Sequence, residues 1–120
     1  MVGSRRVGRE KGDAVLCALT VRKLKPGTYD QFRRAWDPGP ELWVEGWQRA
    51  YHVRNTRDPN EVISFGFFEG TLEELERRTA DVDPDGSKSE ERQRRLAECV
   101  ESIGADSIYE VIEEVRPPTR

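Results

Sequence analysis

The apolar residues of the chain recur with a period of two in several stretches, which is the spacing of β-strands. Strands are predicted over residues 14–24, 47–55, 61–69 and 107–115. The first, third and fourth of these are apolar on both faces. The second has one apolar face, with Trp47, Tyr51 and Val53, and one polar face, with Gln48, Ala50, His52 and Arg54. A strand that is apolar on both faces needs cover on both sides.

Helices are predicted between these strands, because two segments begin with the pattern of a capping box. The pattern occurs at Thr28 with Gln31 and again at Thr71 with Glu74. The first helix is predicted to carry an apolar stripe and to end at Asp37, since the following proline cannot continue a helix. Its stripe consists of Tyr29, Phe32 and Trp36.

The second helical region is predicted to be split by a polar loop at residues 81–86. A further helix should begin near Ser89 and end at Gly104, which is placed to form a left-handed cap. Its apolar positions at helical spacing are Leu96, Cys99, Val100 and Ile103.

The predicted order of elements is strand, helix, strand, strand, helix, strand, which is the ferredoxin-like β-α-β-β-α-β pattern of the α+β class. Right-handed crossovers place both helices on one face of a four-stranded antiparallel sheet and leave the other face bare. Because that face would be apolar, we expect two copies to pack their sheets together as a dimeric α/β barrel. The predicted organisation is a flexible basic arm at 1–12, one domain at 13–116 and a tail at 117–120.

The composition narrows the class of protein. The chain has 120 residues, 35% hydrophobic and 36% charged, so it can enclose one core. Neither a spanning segment nor a secretory signal is apparent, so we expect a cytoplasmic protein with no membrane partner. The net charge of −3 argues against a nucleic-acid partner. Cys17 and Cys99 are far apart in sequence and are interpreted as buried free thiols.

Several short segments resemble the dimeric α/β-barrel superfamily, especially its antibiotic-biosynthesis-monooxygenase-like domains. The resemblance covers roughly residues 14–116. It rests on LTVR at 19–22, KPG at 25–27, FRRAW at 32–36, GW at 46–47, DP at 58–59 before VI at 62–63, and FEGT at 68–71. The resemblance implies a homodimer with a small-molecule cavity. Members of this superfamily include cofactor-independent oxygenases, so no cofactor is expected. The haem-degrading members of the superfamily are recognised partly by an asparagine in the first strand and a ligating histidine on the second helix. This sequence has neither residue at those places, so haem degradation is disfavoured.

His52, the single histidine, is the candidate general base, since a neutral imidazole can take a proton from a phenol or enol. Arg54 is the candidate stabiliser of the resulting negative charge. The alternative interpretation of His52 is a non-catalytic side chain that is solvated or bonded structurally. The alternative for Arg49 and Arg54 is a solvated side chain without a binding role. The candidate ligand-binding residues are Trp36, Trp43, Trp47, Tyr51 and Tyr109, with Arg49 to hold a carboxylate or oxyanion; such aromatic residues can instead be core.

Asp81, Asp83 and Asp85 followed by Gly86 match the beginning of a calcium-binding loop. The twelfth position of that loop is Arg92 instead of a bidentate glutamate, and Pro84 stiffens the turn. We therefore predict no metal site and interpret the segment as an acidic linker.

The leading hypothesis is a homodimeric small-molecule-binding protein, with cofactor-independent oxygenation of an aromatic or polyketide-like substrate as its candidate reaction. The alternative is a non-catalytic dimeric binding or assembly module. A third hypothesis is a stress-related accessory protein that uses the basic arm. A lined, solvent-reachable cavity of roughly a few hundred Å³ would favour the first over the second, and a filled interior would favour the second.

Overall fold

The computed structural model describes residues 3–6 and 14–119. Strands β2 to β5 form a four-stranded antiparallel sheet in the order β3-β4-β2-β5, and β1 pairs with β6. This arrangement confirms the ferredoxin-like prediction, with the second helical region divided into two helices. The elements are β1 (Gly3–Arg6), β2 (Val15–Leu24), α1 (Tyr29–Trp36), a 3₁₀ turn (Pro40–Leu42), β3 (Trp47–Asn55), β4 (Asp58–Glu69), α2 (Leu72–Val82), α3 (Ser87–Ala97), β5 (Val100–Glu110) and β6 (Glu113–Arg116).

The helices cover one face of the sheet, and β4 shows which residues point toward them. Its buried positions alternate with half-buried ones because successive side chains of a strand point to opposite faces. The buried positions are Val62, Ser64, Gly66 and Phe68. Val62 belongs to one apolar cluster, with Leu24, Phe32, Ala35, Leu96 and Cys99. Phe68 belongs to a second cluster, with Leu16 and Leu75. Between the two clusters the sheet presents small and polar side chains to the helices.

The other face of the sheet is apolar, and no helix of the described residues lies on it; we call it the open face. Phe65 of β4 lies opposite Leu19 of β2 and Tyr51 of β3 in the register of the sheet. The rings of Tyr51 and Phe65 stack with their centroids 5.3 Å apart. Tyr51 and Tyr109 are 45% and 46% exposed. The prediction that strands are apolar on both faces is thus confirmed for β2 and β4.

The predicted helix from Ser89 to Ile103 is wrong at its carboxyl end. Helix α3 ends at Ala97, and Val100 opens β5 by pairing with Leu24. Cys99 is buried in the turn between them, where its carbonyl accepts a hydrogen bond from the Lys25 N–H at 2.9 Å. Pairing with β2 overrides the helical spacing, because the backbone groups of this segment find partners in the sheet.

The last predicted strand, over residues 107–115, is also wrong in its bounds. Strand β5 ends at Glu110, and β6 pairs antiparallel with β1, with Arg5 opposite Glu114. The expected basic arm at 1–12 therefore contains a strand at Gly3–Arg6; its remaining residues lie outside the described part of the chain. The domain boundaries stay predictions.

The two capping-box patterns differ in outcome. Thr71 accepts from the N–H of Glu74 at 3.1 Å, and the Glu74 carboxylate accepts from the Thr71 N–H. Thr28 makes no such bond, since its hydroxyl donates to the Lys25 carbonyl at 2.6 Å instead. Within residues 3–6 and 14–119, no helix is both long and apolar enough to cross a membrane.

Candidate functional site

A cavity of about 270 Å³ lies between the sheet and the helices, in the stretch that separates the two apolar clusters. Its sheet side is formed by small and polar residues, because on the helix-covered face the large apolar side chains lie toward the ends of β2 and β4. Helix α3 and the loop after α1 close the other sides. The residues that line it include Ala18, Thr20, Arg22, Trp36, Leu42, Trp43, Trp47, Ala50, Ser64, Gly66, Thr79, Ser89, Arg92, Gln93 and Asp106.

The aromatic wall of this cavity contains all three tryptophans of the chain. The ring centroids of Trp36 and Trp43 are 5.7 Å apart, and those of Trp43 and Trp47 are 6.0 Å apart. Trp47 reaches the helix-covered side because the register of β3 against β4 shifts between Trp47 and Arg49. The predicted tryptophan pocket is thus assembled by one strand irregularity and one loop.

Arg22 and Ser64 form the polar centre of the sheet side. Arg22 is only 5% exposed, and its guanidinium lies 5.5 Å from the centre of the Phe32 ring. Its Nη1 donates to the Ser64 hydroxyl at 3.4 Å. Burial lowers the pKa of Arg22, while the negative charge of Asp106 acts in the opposite direction. The guanidinium is thus a desolvated cation at the cavity wall.

His52 lies behind Ser64, with its Nδ1 2.7 Å from the Ser64 hydroxyl oxygen. Its ring stands edge-on to Trp36 with centroids 4.4 Å apart and packs in the same way against Phe32. Burial lowers the pKa of His52 to about 4, and the positive charges of Arg33, Arg22 and Arg92 add to the effect. The imidazole is therefore neutral near pH 7 and can accept a proton.

His52 does not face the cavity directly. It lines a neighbouring depression that shares Trp36, Trp43, Trp47 and Ala50 with the cavity. The Ser64 hydroxyl connects the two spaces. The face of β3 that carries His52 is covered by α1, so the His52 side chain is hydrogen-bonded and half-buried and not solvated.

Arg92 and Asp106 complete the charged lining. Arg92 of α3 lies with its guanidinium 5.4 Å from the centre of the Trp36 ring, and its Nε donates to the Trp36 carbonyl. Burial lowers the pKa of Arg92 to about 10, with the charges of Arg22 and Arg95 contributing. Asp106 of β5 accepts a hydrogen bond from the Thr20 hydroxyl at 2.9 Å.

The sequence prediction missed Arg22, Ser64 and Arg92. The available signal was that Arg22 and Ser64 each interrupt an apolar face of a strand expected to be covered on both sides. A polar residue at such a position is buried and therefore needs a partner.

The remaining predicted site residues lie outside the cavity. Tyr51 and Tyr109 belong to the open face. Arg49 lines the depression beside His52, and its guanidinium lies 4.8 Å from the centre of the Phe67 ring. Trp47 and Tyr51 were expected to share a face, and the register shift separates them. Arg54 lies 5.5 Å over the Tyr29 ring and lines a different groove, so the structure does not bring it to the His52–Ser64 pair.

The acidic linker contains two carboxylates that accept hydrogen bonds from backbone N–H groups, those of Asp83 and Asp85. Asp83 is buried and accepts hydrogen bonds from the N–H groups of Lys88 and Ser89 at 2.9 and 3.1 Å. Among the described residues, no group of three or more histidine, cysteine or acidic side chains is arranged to hold a metal ion. Of the two thiols, Cys99 is buried, and Cys17 is half-buried and lies opposite Phe67 in the register of β2 and β4.

No protein-family model and none of the curated proteins match this sequence. Solved structures do resemble it. A Caulobacter crescentus CB15 protein, provisionally named an antibiotic biosynthesis monooxygenase, aligns with a TM-score of 0.59 and 8% identity, covering 85% of this chain and 92% of its own. One from Chloroflexus aurantiacus J-10-fl with the same provisional name has a TM-score of 0.57 and 9% identity over 82% and 91%.

The chain has the fold of the antibiotic biosynthesis monooxygenases. A third structure of this fold is SnoaB from Streptomyces nogalater, a cofactor-independent oxygenase, with a TM-score of 0.55 and 8% identity over 89% of this chain and 95% of SnoaB. The resemblance inferred from short sequence segments is thereby confirmed at the level of the fold. Identities this low leave substrate and reaction to be argued from the site itself.

Proposed function

We propose that this chain is a homodimeric small-molecule-binding protein that oxygenates an aromatic substrate without a cofactor. The observation that carries the proposal is a cavity with a tryptophan wall, into which the Ser64 hydroxyl projects with His52 behind it. Flat aromatic ligands suit such a wall. The similarity in fold to SnoaB supports oxygenation over other chemistry of this cavity.

In the proposed reaction, the enol or phenol proton of the substrate passes to the Ser64 oxygen while the Ser64 hydroxyl proton moves to His52 Nδ1. The transfer creates an anion in the cavity, which the nearby cations of Arg22 and Arg92 stabilise. The electron-rich anion then reacts with O₂ at carbon. For a substrate CH₂ group, one oxygen atom becomes the new carbonyl oxygen and the other leaves as water with both hydrogens.

The homodimer part of the proposal is supported by the open face. Leu19, Phe65 and Tyr51 lie side by side in the register of that face. A second copy would remove these side chains from water, which is favourable at roughly 25 cal/mol per Å² of apolar area. The dimer would leave the helix-covered cavity of each copy accessible.

The proposal is tested by measuring O₂ uptake with a panel of small phenols and enols. Replacing His52 by alanine should lower turnover by about 10²- to 10⁴-fold, the range that general-base removal produces. Ser64→Ala should have a similar effect, since it breaks the connection to the cavity. Arg57→Ala, in the exposed β3–β4 turn, is the matched control and should retain activity. Unchanged turnover in His52→Ala would overturn the proposed base.

A second candidate function is ligand binding without turnover. The observation that favours it is the pKa of His52 near 4, because so weak a base removes a proton only from an acidic substrate. Saturable binding of aromatic ligands with no O₂ uptake across the panel would support this candidate.

A further inference from the structure

Arg22 is a buried cation with fewer partners than its chemistry calls for. A guanidinium carries five N–H donors, yet within the described residues Arg22 makes one side-chain hydrogen bond, to Ser64 at 3.4 Å. No carboxylate in that part of the chain lies within salt-bridge distance of it. Burying an ion without a compensating partner is costly. The cavity beside Arg22 is the place where a partner can reach it.

Arg92 faces the same cavity from the helix side. Its Nε is engaged by the Trp36 carbonyl, and its two terminal nitrogens have no hydrogen-bond partner among the described residues. The repulsion from Arg22 that contributes to its lowered pKa indicates that the two guanidinium groups feel each other's charge. Asp106 is the one carboxylate among the described lining residues; it accepts a hydrogen bond from Thr20, and its charge acts on both arginines. Within the described part of the chain, the lining therefore carries two cations and one carboxylate.

We propose that the ligand of this cavity is an aromatic anion whose carboxylate is held between Arg22 and Arg92. The proposal rests on the cavity being the ligand site and adds the class of ligand. Guanidinium groups bind carboxylates through paired, charge-assisted hydrogen bonds, which these two arginines have free donors to form. The aromatic part of the ligand lies against Trp36, Trp43 and Trp47.

The size of the cavity limits the aromatic part. Its volume of about 270 Å³ lies just below the range of about 300–1,000 Å³ that is common for small-molecule pockets. One ring or two fused rings with a carboxylate suit this space better than a four-ring polyketide skeleton. Leu42 of the 3₁₀ turn and Thr79 of α2 also line this space.

The test compares 2-naphthoate with 2-naphthamide by isothermal titration calorimetry, since the two ligands share ring size and differ in charge. The wild-type protein should bind the carboxylate at least about tenfold more tightly, as expected for charge-assisted hydrogen bonds. Arg92→Gln should reduce that preference by about tenfold, because the loss of the charge weakens binding of the carboxylate more than binding of the amide. Arg94→Gln, on the same helix and paired with Glu91, is the control and should keep the wild-type preference.

Arg22→Gln should reduce the preference for the carboxylate in the same way. Because Arg22 is buried, circular dichroism checks that the Arg22→Gln variant folds. If this variant does not fold, the result for Arg92→Gln decides the test. Equal binding of both ligands by the wild type, or an unchanged preference in Arg92→Gln, would overturn the anion site and leave the aromatic cavity intact. Failure of both ligands to bind the wild type would contradict the anion site and the proposed function together.

Discussion

The Ser64 hydroxyl oxygen lies 2.7 Å from His52 Nδ1, and the two residues stand opposite each other in the register of β3 and β4. Arg22 donates to the same oxygen from β2. An arginine only donates, so the Ser64 hydroxyl proton remains available for the imidazole. Three adjacent strands thus bring a cation, a hydroxyl and a neutral base together on the covered face of the sheet.

The depressed pKa of His52 predicts a loss of stability in mild acid. Its folded-state pKa is about 4, below the ordinary 6.5, so between these values the unfolded chain binds a proton that the folded chain does not. The free energy of unfolding therefore falls as the pH drops through this window. We expect a decrease of up to about 2 kcal/mol between pH 7 and pH 5, measured by urea unfolding.

His52→Gln is the matched variant for this prediction, because glutamine keeps a hydrogen-bonding group near Ser64 and does not titrate. The pKa values of Asp58 and Asp83 are lowered from the ordinary 3.8, so the stability that these two carboxylates contribute is lost only below the window from pH 7 to pH 5. The pH dependence between 7 and 5 should thus largely vanish in His52→Gln. An equal dependence in both proteins would show that other groups cause it.

Much of the fold could be predicted because local patterns and tertiary structure agree. The alternation over residues 14–24 and 61–69 and the breaks at Lys25–Gly27 and Asp37–Pro38 correspond closely to observed bounds. The prediction failed after Ala97, where the spacing of Cys99, Val100 and Ile103 suits a helix and a strand alike. Pairing with β2 decides the outcome there, and pairing partners are not visible in a local pattern.

The site was predicted in part for a similar reason. The three tryptophans were chosen for their chemistry, and they do converge. Tyr51 was assigned to the same face as Trp47 by strict alternation, which the register shift before Arg49 interrupts. Arg22 and Ser64 were missed because their role depends on residues from two other strands. Their interruption of an apolar face was the available signal.

Gly46 is predicted to be intolerant of a side chain. Its φ of 117° is unfavourable for other residues, and an added Cβ would lie 2.5 Å from the Phe68 ring. Gly46→Ala should lower the free energy of unfolding by about 2–5 kcal/mol through strain and overpacking. It should also weaken ligand binding, since Phe68 packs against Trp47 of the cavity wall with centroids 5.4 Å apart.

Gly39→Ala is the control for this prediction. Gly39 also has a positive φ, of 82°, but nothing lies within 4 Å of the added Cβ. The backbone strain alone should cost about 1–2 kcal/mol. Chemical denaturation of both variants separates strain from collision with Phe68, and equal losses would argue against the collision.

Asp83 is predicted to act as a structural cap for α3 and not as a calcium ligand. Its carboxylate accepts from two backbone N–H groups and from the Ser89 hydroxyl at 2.7 Å. Asp83→Ala should cost about 0.5–2 kcal/mol in urea unfolding, as for other lost caps. Asp81→Ala, at an exposed position, should cost little. A calcium-dependent rise in the melting temperature of the wild type would contradict this interpretation.

The open face is predicted to be the dimer interface. Phe65 lies near its centre, between Leu19 and Tyr51, so Phe65→Lys would place a charge among apolar groups that a partner copy would desolvate. We expect the dissociation constant of the dimer to rise by about 100-fold or more, as for a central interface residue.

Leu72→Lys is the control, because Leu72 is also an exposed apolar residue, 46% exposed, but lies on α2. Sedimentation velocity over a range of concentrations measures both variants. A wild-type protein that stays monomeric at about 100 µM would rule out the homodimer. The reason is that an apolar interface of standard size, about 1,600 Å², normally holds a dimer together well below that concentration. The open face would then need another partner.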